Sequence, residues 1–360
     1  MRIAIVAPPF IAVPPPRYGG TELFIAHLAT GLSGLGHEVI VYANGESRLP
    51  CEVRWLYPRS EWPIHTEISS NLRDLDHTAW ACRDAAGEVD VLHLNNAPGL
   101  SFTRFLREPV IYTVHHTKEP ALSAFYAHYP EVTYVTISHF QQTQESMPNL
   151  VPIHHGLDVS RYPLVARKDD YLSFLGRITP TKGTHLAIAA ARKAGIPLKI
   201  AGEIQPMYRD YWESAVEPHV DGRFIEFVGE ADHATKVELL GRSRAMLFPI
   251  QWNEPFGLVM IEAMACGTPV LALPGGSVPE VVCDGVSGWI CRDVDDMAAR
   301  ARDLRIAPEA CRQHVRDHFT VERMVRRYEA VYRDAIQSTR AASVAADAPV
   351  PAGKPAVLLQ

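Results

Sequence analysis

The chain has 360 residues, 47% hydrophobic and 21% charged, which is enough apolar material for more than one core and points to two domains. Lysine and arginine number 35 against 41 aspartates and glutamates, a net charge of −6, and the excess acidity lies wholly in the first 160 residues. No basic domain suited to nucleic acid and no basic amphipathic helix suited to a membrane surface stands out, and no apolar run is long enough for a transmembrane helix.

The apolar opening from Ile3 to Ala7 stops at Pro8 and Pro9, too short for the core of a secretory signal, so a cytoplasmic protein is expected. The six cysteines show no C-x-x-C spacing, which argues for reduced thiols over a disulfide framework or a zinc site. Short β-branched runs then alternate with longer amphipathic stretches, the pattern of βαβ units around parallel sheets. Strands are expected at 2–8, 38–43, 52–56, 89–94, 110–115, 134–137 and 151–154. Periodicity fades over 157–170, where the linker is placed, and a second series follows at 171–175, 198–201, 224–228, 245–249 and 269–273. Helical patterns at 294–305, 308–318 and 320–338 close the ordered part, with Thr320 as N-cap. The remainder, rich in Ala, Pro and Val, is expected to be disordered. Two doubly wound domains in tandem follow from this order, with ligands at their carboxyl edges and in the cleft between them.

The first strand runs into prolines instead of a G-x-G-x-x-G turn, which disfavours a dinucleotide enzyme. A loop stiffened by Pro14, Pro15 and Pro16 delivers Tyr18, Gly19 and Gly20 to a helix start. Those glycines suit either close approach of backbone N–H groups to an anion or an ordinary tight turn. Gly31, Gly34 and Gly36 fall where a helix ends, and the acidic run at Asp293, Asp295 and Asp296 falls where one begins. Arg177 and Lys182 flank a strand–helix junction and suit a diphosphate, the first as a fork and the second as a point charge.

The richest stretch runs from Pro249 to Pro269. Pro255 fits the first position of a helix, so Phe256, Gly257 and Leu258 would offer free N–H groups. Glu254 and Glu262 would then lie roughly 12 Å apart along a helix axis, too far to share a proton but placed to hold two parts of one extended ligand. The pairs His115–His116 and His154–His155 invite a metal reading. Neighbours on a strand point to opposite faces, so neither pair is a natural chelate.

Together, G-R-x-x-x-x-K-G at Gly176, E-P-F-G-L-x-x-x-E-A-M-A-C-G-T-P-V at Glu254, G-G-x-x-E ending at Glu280 and D-G-x-x-G at Asp284 resemble family four glycosyltransferases, which are retaining enzymes of GT-B fold. The resemblance covers about residues 2–338. It implies an acceptor-binding domain at 1–160, a nucleotide-sugar domain at 161–319, a helix crossing back at 320–338 and a tail at 339–360. It places Gly19 and Gly20 near the donor phosphates, Arg177 and Lys182 on the diphosphate, and Phe256, Gly257 and Leu258 at the helix start beside it. It further places Glu254 on the donor sugar, Glu262 on the ribose and His115 beside the reacting sugar. Two departures stand out: His155-Gly156-Leu157-Asp158 replaces the common N-G-x-D, and Pro249 to Glu254 is one residue longer than the usual P-S-x-x-E. The expected activity is transfer from a UDP- or GDP-sugar, with no metal or other cofactor. The acceptor, a saccharide, a lipid-linked sugar or a small molecule, is not readable from generic loops such as 59–71. A sugar-nucleotide epimerase and a nucleotide-sugar-binding protein without transferase activity are the alternatives.

Overall fold

The computed structural model describes residues 1–17, 19–62 and 67–346. Thirteen described strands form two separate sheets, parallel throughout. The first comprises β1 (Arg2–Val6), β2 (Glu38–Ala43), β3 (Glu52–Trp55), β4 (Val91–Leu94), β5 (Val110–Val114), β6 (Thr133–Thr136) and β7 (Leu150–Pro152), in the order β3-β2-β1-β4-β5-β6-β7. The second comprises β8 (Leu172–Leu175), β9 (Leu198–Ala201), β10 (Ile225–Gly229), β11 (Ala245–Phe248), β12 (Val270–Ala272) and β13 (Gly288–Ile290), in the order β10-β9-β8-β11-β12-β13. Every residue of β4, β5, β11 and β12 is buried, because helices cover both faces of a parallel sheet and leave no polar side to alternate with. These are the two Rossmann-like domains of a GT-B fold. Strand order reverses between β1 and β4 in one sheet and between β8 and β11 in the other, and such switch points open crevices at the strand ends.

All seven strands of the first sheet match sequence expectation to within a few residues. In the second, β13 was not expected, since three residues inside a glycine-bounded turn carry no periodicity. The helix Val294–Arg302 is N-capped by the Asp293 carboxylate, which accepts the Asp296 N–H at 2.8 Å, so that acidic run is a helix start. The six cysteines form no disulfide.

The chain passes from the first domain to the second near Leu157 and returns beside the same residue. Leu157 N–H donates to Phe319 O at 2.8 Å, and Val321 N–H donates to Leu157 O at 3.2 Å. Thr320 Oγ1 accepts the Arg323 N–H at 3.3 Å and opens the last helix, Val321–Ala346. That helix continues past Ser338, where the sequence reading ends it, because Arg340, Ala341 and Ala342 are good helix formers. The residues expected to form the rest of the tail lie outside those described. Met324, Val325, Tyr328, Val331, Tyr332 and Ile336 recur at helical spacing and join the core of the first domain with Phe24, Ile25 and Leu28. Tyr328 and Tyr332 also engage Thr113 at 3.0 Å and His93 at 2.7 Å, so the end of the chain is part of the beginning.

Candidate active site

Both switch points empty into one cleft of about 410 Å³ between the domains. From the first domain, the loop after β1 brings Gly19 and Gly20 to it at the head of the helix Gly20–Gly34. Gly19 has φ +145°, and a Cβ there would lie 2.7 Å from Pro15 Cβ and 2.8 Å from Glu22 Oε2, so only glycine fits. Tyr18 lies outside the described residues. Burial raises the Glu22 carboxyl under this loop to about 7. A Cβ on Gly20 would stand 3.6 Å from Leu258 Cδ1 of the second domain. The helix Leu258–Ala265 starts there, so two helix N-termini meet the same space.

The helix start differs from the sequence reading. Pro255 is not its first residue; Gly257 is the N-cap, with φ +77°, and the left-handed turn there delays the helix to Leu258. A Cβ on Gly257 would come within 2.7 Å of Met260 Cε. Glu254 therefore lies in the loop before the turn, and an axial distance along one helix does not describe its separation from Glu262.

Both glutamates are buried and held, at 6% and 4% exposure. Glu254 pairs with the Lys182 ammonium and accepts the Trp252 Nε1–H at 2.9 Å, while Lys182 also sits 4.7 Å from the Trp252 ring centroid. Glu262 pairs with Lys236 and accepts the Tyr162 hydroxyl at 2.8 Å. Nearly buried carboxylates need such partners, and each arrives with a cation and a neutral donor. Arg177, Lys182, Phe256, Gly257 and both glutamates line the cleft together. Lys236 and Tyr162 were missed: one sits mid-helix and the other in the linker, and no motif marks either.

His115 follows the end of β5 and faces the cleft. Its Nε2 lies 2.9 Å from Asn95 Oδ1, and Asn95 Nδ2 donates to Val6 O at 3.0 Å, which fixes Oδ1 as acceptor. His115 Nε2 therefore carries the proton and Nδ1 the lone pair. Burial lowers its pKa to about 3, so the ring is neutral at neutral pH. His155 stacks on it at 5.9 Å and 14°, and its own Nδ1 is buried without a hydrogen-bond partner. The sequence marked His155 as a departure from N-G-x-D and as half of a histidine pair, but not as a neighbour of His115. Neither histidine pair sits within a strand, yet each splits as expected: His116 turns to Tyr126, and His154 turns to Glu280 at 2.8 Å.

A cleft of this kind, between two doubly wound domains and lined with cations, paired carboxylates and helix N-termini, defines a GT-B glycosyltransferase. Comparison with known proteins extends this to the family. The profile described as Glycosyltransferase Family 4 matches residues 18–161, and that of Glycosyl transferases group 1 matches residues 161–314. The chain belongs to glycosyltransferase family four. It is 28% identical to the glycogen synthase of Mycobacterium tuberculosis, over 88% of this chain and 89% of that one. It is 29% identical to the phosphatidyl-myo-inositol mannosyltransferase of Mycolicibacterium smegmatis, over 83% of each. Its fold is similar to that of HepE from Anabaena, solved in complex with UDP and glucose, at a TM-score of 0.73 and 18% identity, over 92% of this chain and 99% of that one. No helix among the described residues is long and apolar enough to cross a membrane.

Proposed function

We propose that this glycosyltransferase moves a sugar from a UDP- or GDP-activated donor to an acceptor hydroxyl, with retention of anomeric configuration and without a divalent ion in the transfer step. The observation that carries this reading is the convergence in one cleft of two helix N-termini, Arg177 and Lys182, and two ion-paired glutamates. The second domain, about 161–319, takes the donor, and the first, about 1–160, takes the acceptor. The bound UDP of HepE, whose fold is alike, agrees with a nucleotide donor.

Departure of the diphosphate concentrates negative charge, and fixed donors aimed at that charge stabilise the transition state. Arg177 and Lys182 supply cations, and the helix heads at Gly20 and Leu258 supply oriented N–H groups. Glu262, beyond the helix start, faces the ribose hydroxyls, and Glu254 faces the transferred sugar. His115, neutral and with its lone pair on Nδ1, accepts a hydrogen bond from a hydroxyl of that sugar. The cation count allows the diphosphate to leave without a metal partner.

The test offers purified protein a panel of UDP- and GDP-sugars with candidate acceptors and measures free nucleotide, product anomer and the effect of EDTA. Acceptor-dependent nucleotide release with retained configuration, unchanged by EDTA, is expected. Tight donor binding with no release for any acceptor would sink the transferase assignment. Loss on chelation, restored by Mn²⁺ or Mg²⁺, would sink the metal-free step.

A further inference from the structure

A second cavity, of about 250 Å³, lies beside the crossing point of the two domains and shares only His155 with the donor cleft. His139, His154 and Glu280 meet at its wall, and one ligating atom from each lies within 4.8 Å of the other two. They come from separate parts of the chain. His139 opens the helix His139–Gln144 after β6, His154 follows β7, and Glu280 belongs to the short helix Val278–Val281 of the second domain.

The carboxylate is oriented from behind. Glu280 Oε2 accepts the His139 backbone N–H at 2.8 Å, and Oε1 accepts the Phe140 N–H. Capping that helix accounts for those two bonds. It does not account for two imidazoles at the same carboxylate, with His154 Nε2 at 2.8 Å from Oε2. Neutral imidazoles with one carboxylate form the borderline donor set that Zn²⁺ and its neighbours take, whereas Mg²⁺ and Ca²⁺ prefer all-oxygen sites. The amide-bound carboxylate supplies the outer hydrogen bonds that hold a metal ligand in place. Ligand bonds of about 2.0–2.2 Å require a small opening of the His154–Glu280 contact and an inward turn of His139, whose side chain is exposed and free to make it.

We propose that His139, His154 and Glu280 form a site for a divalent transition ion such as Zn²⁺, which ties the first domain to the second at the crossing point. The cavity beside these three side chains is also lined by His314, His318, Arg323 and Arg327.

Chelator-treated full-length protein, titrated with Zn²⁺ alone by calorimetry and with Co²⁺ by visible absorption, tests this without any transfer assay. The wild type should take up a single ion per chain, with Co²⁺ showing the d–d bands of a low-coordinate site. His139→Ala and Glu280→Gln should each weaken uptake by at least about tenfold, and Zn²⁺ should raise the unfolding midpoint of the wild type but not of these variants. His318→Gln should retain the site. No uptake by the wild type overturns the proposal, as does uptake that survives both substitutions or that depends on His318 instead. If Glu280→Gln does not fold, His139→Ala, a change at an exposed side chain, decides.

Discussion

Glu254 and Glu262 look equivalent as buried acids, but their partners separate them. Lys182 pairs with Glu254 beside the space assigned to the diphosphate, whereas Glu262 is held by both Lys236, which also lines the cleft, and Tyr162. Glu254→Gln should therefore release Lys182, leave affinity for the free nucleotide unchanged or higher, and lower kcat and kcat/KM together. Glu262→Gln should raise the donor KM and weaken the free nucleotide, with a smaller loss in kcat. Calorimetry with UDP and GDP on both variants distinguishes them, and the opposite pattern would reverse the donor in the cleft. Glu22 supplies a second prediction at this scale. Its carboxyl, raised to about 7 by burial, is neutral below that pH, and its charge appears beside Gly19 as the pH climbs. The donor KM should rise as pH passes through about 7, and Glu22→Gln should flatten that rise. An identical profile in the variant would show that Glu22 does not sense the donor.

At the scale of elements, the last helix shows how far chain position misleads. Tyr328 is fully buried, touches the Phe24 ring at 5.5 Å and bonds Thr113, all on behalf of the first domain. Tyr328→Ala should cost roughly 3–5 kcal/mol, seen as a lower midpoint in the unfolding of the first domain. A loss confined to the second domain would contradict the packing described. Elements differed in how visible they were. The first strand, helix and glycine loop were legible because apolar period and turn chemistry are local. The true start of the helix at Leu258 was not, because Gly257 is left-handed and sits where a Cβ would strike Met260 and Phe248, neighbours that a sequence does not display.

At the scale of the molecule, burial makes stability depend on pH. His77, His93 and His115 fall to about 4, 3 and 3 through desolvation. An unfolded chain protonates them near about 6.5, so the stability they support is intact above that value and is lost as pH falls toward the lowered ones. Glu22 and Asp74 rise to about 7 and about 6, so theirs is intact in acid and lost as pH rises through those values. Near pH ~5.5 the three histidines outweigh the two carboxyls, so stability rises with pH there. All five groups lie in the first domain. Urea unfolding followed from pH ~5 to ~6 should show its midpoint rising, and a flat or falling midpoint would refute the balance.

Composition, strand period and the motifs at Gly176 and Glu254 were enough for two doubly wound domains, the family, and the candidate residues that line one cleft. Such signals are local, because each motif shapes its own turn and each strand its own pleat. The tertiary structure alone decided that Lys182 belongs to Glu254, that Lys236 and Tyr162 belong to Glu262, and that His155 stacks on His115 while His154 meets Glu280. These partners lie far apart in the chain, and only burial, which makes an unpaired charge costly, brings them together.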